Sequence, residues 1–394
     1  MSLTKKELFN LYLLAGVSFT NILDFMVMMP LGHEFQTRFS LTPPMWSMVI
    51  SSYTFAAGIS GLVSIFFIDR IERKKFLLML YGGFLVGTLG CAFAFDYYSL
   101  MGARAFTGVF GGIINALLFA IIGDMIVPQL RGRAMGILMM GFSGASALGV
   151  PFGLYFGVTF SWRVPFISIV LIGMVIWVLL YRNLPTMPHI SQAARDTVKE
   201  LKKMLKNSNQ LIALGAIFLL FFGHFIVIPF LAPYMVVNVG FKEQDLTWIY
   251  LIGGIATIFS SPLVGKLSDD YGKFKMVALL SLTAMIPMWL VTHLEPTPIP
   301  LVLFYTTLFF VSGSRFIPSN ALVLSTAPPQ QRGVFMSVRT AMQQFASASA
   351  SFLAGFIVTM SAEGFYQNYE VTGYLAIGIT FLSAIALKMI QEKY

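Results

Sequence analysis

The stretch Gly265-Lys266-Leu267-Ser268-Asp269-Asp270-Tyr271-Gly272-Lys273-Phe274-Lys275 is a charged island between two apolar runs. A second island, Asp69-Arg70-Ile71-Glu72-Arg73-Lys74-Lys75, stands earlier in the chain, and Asp69 and Asp269 lie 200 positions apart. Another marker shares nearly the same offset: Pro128-Gln129-Leu130-Arg131-Gly132 returns as Pro329-Gln330-Gln331-Arg332-Gly333, displaced by 201 residues. Two markers with one offset in a chain of 394 residues predict two homologous halves.

Working outward, the runs between these islands are apolar. Hydrophobic residues make up 57% of the chain, charged residues only 11%, and mean hydropathy is +0.78. Soluble domains carry roughly 25% charged residues, so an all-α polytopic membrane protein is expected. The single cysteine, Cys91, excludes an intramolecular disulfide and argues against thiolate metal ligation. The 23 Met and 38 Phe read as lipid-facing and packing residues, not as a cofactor box. No cofactor is expected. His33-Glu34 begins a zinc-protease pattern, but Thr37 stands where the second histidine belongs. No nucleotide-binding loop of the G-x-x-x-x-G-K-[ST] kind occurs, so ATP-driven transport has no support.

A hydrocarbon core about 30 Å thick needs about 20 apolar residues per helix. Twelve spans result, near 9–31, 45–67, 76–96, 99–126, 134–158 and 164–181, then 210–237, 246–264, 275–293, 300–325, 333–358 and 371–389. Asp24 and Pro30 interrupt the first, which is too long for a cleavable signal. Residues 1–181 and 209–394 would form two six-helix bundles joined by a cytoplasmic linker, 182–208, with a short amphipathic helix or a plain solvated one near Val198 to Leu205. With the N-terminus inside, 20 of the 26 Lys and Arg fall on one face, against Arg38, Arg163 and Lys242 on the other. The positive-inside rule then places both termini in the cytoplasm. The net charge of +9 thus reports topology and calls for no nucleic-acid partner.

Of the 17 acidic residues, 15 fall in loops or tails, Asp124 stands at a membrane boundary, and Asp24 lies inside a span. Such a residue costs at least about 2.5 kcal/mol in the membrane, so its default reading is functional. Asp24 lies seven residues before Leu31 and Arg104 about five residues into the fourth span, at similar depth. They predict either a proton-binding carboxyl facing an arginine or a static ion pair. Arg315 and Arg339 are the other embedded charges, and Arg315 does not align with Arg104 under the 200-residue offset. Arg315 would bind an anionic or polar substrate group or dock on Asp24. His224 reads either as a proton carrier or as a packing residue. Asn21, Asn115, Asn320, Gln343 and Gln344 add hydrogen-bonding capacity to the same cavity. Small residues at three- and four-residue spacing, from Gly141 to Gly153 and from Ser347 to Ser351, mark close helix packing.

These residues resemble the major facilitator superfamily, and within it the twelve-span drug:proton antiporters of bacterial efflux. Gly265-x-Leu267-x-Asp269-x-x-Gly272-Lys273-x-Lys275 is similar to the superfamily's signature loop between spans two and three. The first copy keeps Asp69, Arg70, Arg73 and Lys74 but has Ile65 and Glu72 in place of glycines. Arg104 with Gly108 resembles the family's R-x-x-x-G motif, whose arginine is associated with proton transfer. Gly149-Val150-Pro151-Phe152-Gly153 resembles the antiporter motif with Val150 inserted, and Trp162-Arg163 the pair before span six. The resemblance implies a monomeric secondary transporter of a small molecule in the bacterial inner membrane, with no catalytic residue. Proton-coupled efflux is the expected activity, a uniporter or proton symporter for an organic anion or sugar the alternative, and a membrane-embedded sensor or enzyme the least supported. Asp69, Arg70, Arg73, Asp124, Arg131, Gly265, Asp269, Gly272, Lys273 and Arg332 would then form a cytoplasmic gate that stabilises one access state.

Overall fold

A computed structural model describes residues 3–67, 71–187, 197–328 and 331–391. The chain is a succession of helices: α1 (Lys5–Val27), α2 (Gly32–Phe39), α3 (Pro43–Ser64), α4 (Arg73–Ala92), α5 (Tyr97–Met125), α6 (Arg131–Gly144), α7 (Val150–Thr159) and α8 (Arg163–Asn183) make the first half. After α9 (Thr197–Leu205) come α10 (Ser208–Phe225), α11 (Ile228–Val237), α12 (Glu243–Tyr271), α13 (Lys273–Thr292), α14 (Ile299–Ser312), α15 (Phe316–Leu324), α16 (Arg332–Ile357) and α17 (Tyr369–Lys388). The only strands among the described residues, β1 (Thr359–Met360) and β2 (Tyr366–Gln367), pair in a small hairpin that the apolar reading missed.

Breaks inside the expected spans follow from local chemistry. The first span ends at Val27, short of residue 31, and the chain turns through Pro30 into α2. The fifth is α6 and α7 joined by a π turn, Ala145–Gly149. Pro151 near the start of α7 has no N–H to give the preceding turn, and the wider π turn absorbs the loss. Pro229 similarly separates α11 from α10. The tenth expected span is divided by a tight 3-10 turn, Gly313–Arg315.

Among the described residues, eleven stretches are long and apolar enough to cross a membrane. The twelfth expected span is α16, a continuous helix of 26 residues, about 39 Å long at 1.5 Å per residue. Its Thr, Gln and Ser residues keep it below that apolar standard. It lies buried along α3 and α10, so its polar face meets protein rather than lipid. The outward faces of other helices are apolar: Leu171 and Val175 on α8 and Phe259 and Leu263 on α12 are each more than half exposed. The fold is thus an all-α membrane protein of twelve helical spans in two six-helix bundles.

Among the described residues, the start of α1, the end of α17 and the ends of α3, α5, α12 and α15 lie at one end of the bundle, here the termini end. Three glycines set the packing of α1, α3 and α5. Gly108 lies on the Tyr53 backbone and Gly112 on Ala57, so α5 approaches α3 at backbone distance. Gly141 does the same for α6 against Ala15 of α1.

The halves meet through two long contacts, α3 on α16 and α7 on α12. At the far end they are fastened: the Trp46 indole donates to the Pro229 carbonyl at 3.0 Å, Tyr366 donates to Gln36 at 2.9 Å, and His33 lies 3.7 Å from Glu243. Gly254 of α12 rests on Ala147 of the π turn, leaving 2.6 Å for any added Cβ. Toward the termini end, α12 makes no more than isolated contacts with α6 among the described residues. The bundle is closed at the far end and parts on its α6 side toward the termini end.

Candidate functional site

Asp24 is fully buried and Arg104 is 1% exposed. Arg104 Nη1 donates to Asp24 Oδ2 at 2.8 Å, and Thr88 donates to Asp24 Oδ1 at 3.0 Å. The guanidinium also lies over the Tyr53 ring, 4.4 Å from its centroid, a cation–π contact strengthened by the dry surroundings. The glycines of the R-x-x-x-G motif explain the geometry: they let α5 sit on α3, which sets Arg104 against Tyr53. Thr88 and Tyr53 were not singled out in the sequence, because a lone Thr or Tyr in an apolar run gives no signal. Asp24 is the only buried carboxylate among the described residues.

One turn along, Asn115 donates to Asn21 at 3.3 Å. The Phe25 ring stacks on Tyr53 at 5.4 Å and meets Phe225 of the second half at 6.2 Å. The ion pair is therefore one residue from a bridge between the halves. Asn320 and Gln343 are 3.5 Å apart, a marginal hydrogen bond, and Gln344 is half-buried beside them in sequence. His224 is buried, stacked on Phe309 at 4.8 Å, and Arg315 is completely buried.

Gly149 and Gly153 of the antiporter-like motif face α1, where Leu23 and Val27 occupy the space a side chain would need. Pro151 sits between them as the cause of the π turn. The motif thus shapes the surface that holds Asp24's helix.

The described members of the expected gate lie at the termini end, where the Arg73 ion pair and the Arg131 carbonyl contacts fall within the first half. Arg73 Nε meets Asp124 Oδ2 at 3.0 Å, tying the start of α4 to the end of α5. Arg131 donates to the carbonyls of Ile126 and Gly123, at 3.0 and 2.6 Å, and so caps α5. Glu72 takes the place of a family glycine and caps α4, accepting from the backbone N–H of Lys74, Lys75 and Met187 at 3.0, 2.9 and 3.0 Å. Gly272, with φ at 95°, ends α12 in a conformation that favours glycine. A Cβ at Gly265 would meet only Ile317, in ordinary contact at 4.0 Å, and Asp269 and Arg332 are exposed. Lys273 begins α13. Asp69 and Arg70 lie outside the described residues.

Two packed half-bundles with a buried ion pair near their junction are the architecture of a membrane transporter. The chain belongs to the Major Facilitator Superfamily, whose family model matches residues 13–350 and, in a second alignment, 213–393. It is 23% identical over 390 residues to an uncharacterized MFS-type transporter, YbcL of Bacillus subtilis (strain 168), covering 97% of this chain and 96% of the relative. It is 24% identical over 251 residues, 63% of each chain, to a protein of Helicobacter acinonychis (strain Sheeba) named a probable sugar efflux transporter. Among solved structures, a D-xylose–proton symporter superposes with a TM-score of 0.79 at 17% identity, over 98% of both chains. A bacterial homologue of the human lysosomal transporter Spinster, inward-facing and unoccupied, gives 0.72 at 13% identity over 100% of both. The protein is a secondary transporter, not an enzyme.

Proposed function

We propose that the protein exports a small molecule in exchange for protons across the bacterial inner membrane, with Asp24 as the proton-carrying group. Residues 1–181 and 209–394 act as the two rocking units, joined by 182–208, with both termini in the cytoplasm and the chain working as a monomer. The state described above, closed at the far end, is then the inward-facing one. The observation that carries the reading is the buried Asp24–Arg104 pair, the sole carboxylate inside the described bundle. In the ion pair the carboxylate is satisfied; protonated, it releases Arg104, and the Phe25–Phe225 contact lies beside it to pass that change to the other half. The relatives named as sugar efflux transporters support export. The test is internal pH in liposomes holding the purified protein while sugars, organic acids and lipophilic cations are added. Wild type should move protons when its substrate is added and Asp24→Asn should not. Substrate flux without proton movement in both proteins would leave a facilitator in place of an exchanger.

A further inference from the structure

Arg315 occupies the 3-10 turn between α14 and α15 and is completely buried. Among the described residues, none of its three guanidinium nitrogens has a hydrogen-bond partner and no carboxylate lies within ion-pair distance of it. A guanidinium carries five donors in a planar fork, and burying it unsatisfied costs several kcal/mol. Stability does not explain its presence. Around it the bundle is aromatic. The Arg315 Cζ lies 5.6 Å from the Phe316 ring, and His224 meets the same ring edge-on at 5.2 Å. Phe316 stacks on Phe221 at 4.4 Å, and both are half-buried. Phe221 continues to Phe225, the residue that touches Phe25 of the first half. His224 Nδ1 has no partner among the described residues either, and its ring lies beside Gly313.

The charge balance points the same way. The buried charged residues among those described are Arg104, Arg315, Arg339 and Asp24. Asp24 is taken by Arg104, while Arg339 reaches only the Met336 sulfur, at 3.8 Å. The interior therefore holds two cationic groups in excess.

We propose that Arg315 is the anchor for the carboxylate of an aromatic organic acid, with His224 as a second donor and the Phe221, Phe225 and Phe316 rings receiving the flat apolar body. A carboxylate matches the guanidinium fork with two parallel hydrogen bonds and supplies the missing charge. A sugar supplies neither, and a lipophilic cation is repelled. The assignment names a substrate class for the transporter and rests on alternating access, not on proton exchange at Asp24.

The test is ligand-induced thermal stabilisation of the purified full chain in low-salt buffer. The probes are benzoate and indole-3-acetate, their neutral amides, and chloride. Wild type and Asp24→Asn should both be stabilised by the carboxylates and not by the amides, so loss of proton coupling leaves this result intact. Arg315→Gln should weaken carboxylate binding at least about tenfold, the scale of one charged hydrogen bond, and Arg315→Lys should fall between. Equal stabilisation by acids and amides, or no stabilisation of wild type by either, would overturn the assignment. So would full protection by chloride that carboxylates do not augment, which marks an inorganic anion. Carboxylate protection that persists in Arg315→Gln would move the site elsewhere and make Arg315 a partner for Asp24 in another state.

Discussion

Asp24 and Arg104 each owe their burial to the other. Removing one partner of such a pair leaves an uncompensated charge, at a cost of about 3 to 5 kcal/mol. Arg104→Gln is therefore expected to lower thermal stability sharply, and Asp24→Asn combined with Arg104→Gln to recover most of the loss. A double-mutant cycle read by thermal unfolding in detergent checks this; additive losses would mean the two groups are not coupled. Arg104→Lys should not rescue, because an ammonium cannot lie flat over Tyr53 while reaching Oδ2. Glu72 behaves differently. Its partial burial alone would raise its pKa, but the N–H groups of Lys75, Met187 and Lys74, with the Lys75 charge, outweigh that and hold it below the usual glutamate range. A lowered folded pKa contributes stability above the unfolded value and loses it as pH falls through the folded one. Glu72→Ala should thus cost about 0.5 to 2 kcal/mol at neutral pH, as for other helix caps, and less in acid. Unfolding midpoints from pH 7 down to pH 3 would show the gap between the two proteins closing; a constant gap would contradict the cap.

At the scale of helices, glycine determines where elements touch. A Val at position 254 would place its Cβ in the Ala147 backbone, 2.6 Å away, with no flexible side chain to yield. Gly254→Val is expected to wedge α12 off α7, open the far end and reduce transport at least about tenfold while the protein still inserts. Transport assays paired with probe access to a cysteine at Leu41, buried at the far end, would separate this from simple misfolding: access should rise as transport falls. The same scale shows why part of the molecule was legible in the sequence and part was not. Asp24 and Arg104 announce themselves, since an ionisable group in an apolar run has few reasons to be there, and their equal depth follows from counting residues. The spans follow from length. Pro318, three residues past the Gly313–Arg315 turn, marks that break; what the sequence cannot place is the set of rings around Arg315, because His224 and Phe221 lie 91 and 94 positions earlier in the chain. The glycines were read as close packing in general, but which helix each one meets depends on rotation about the helix axis, which composition does not encode.

For the whole molecule, alternating access requires the two long contacts to hinge in opposite senses at the two ends. Labels at Arg133 and Lys266, both exposed at the termini end, should approach on substrate binding, while labels at Ser40 and Lys242, exposed at the far end, should separate. Because Cys91 is buried, introduced cysteines can be labelled selectively for spin-label distance measurements. Distances that change together in one direction would describe swelling, not rocking. A different consequence attaches to α16. This helix is too polar to partition into lipid alone, yet it is the eleventh span of twelve to leave the ribosome. Its entry into the bilayer must therefore be templated by α3, already in place, which shields its Ser and Gln face. Biogenesis is ordered: a chain truncated before α17 should retain α16 across the membrane when α3 is intact and shed it to one side when α3 is missing.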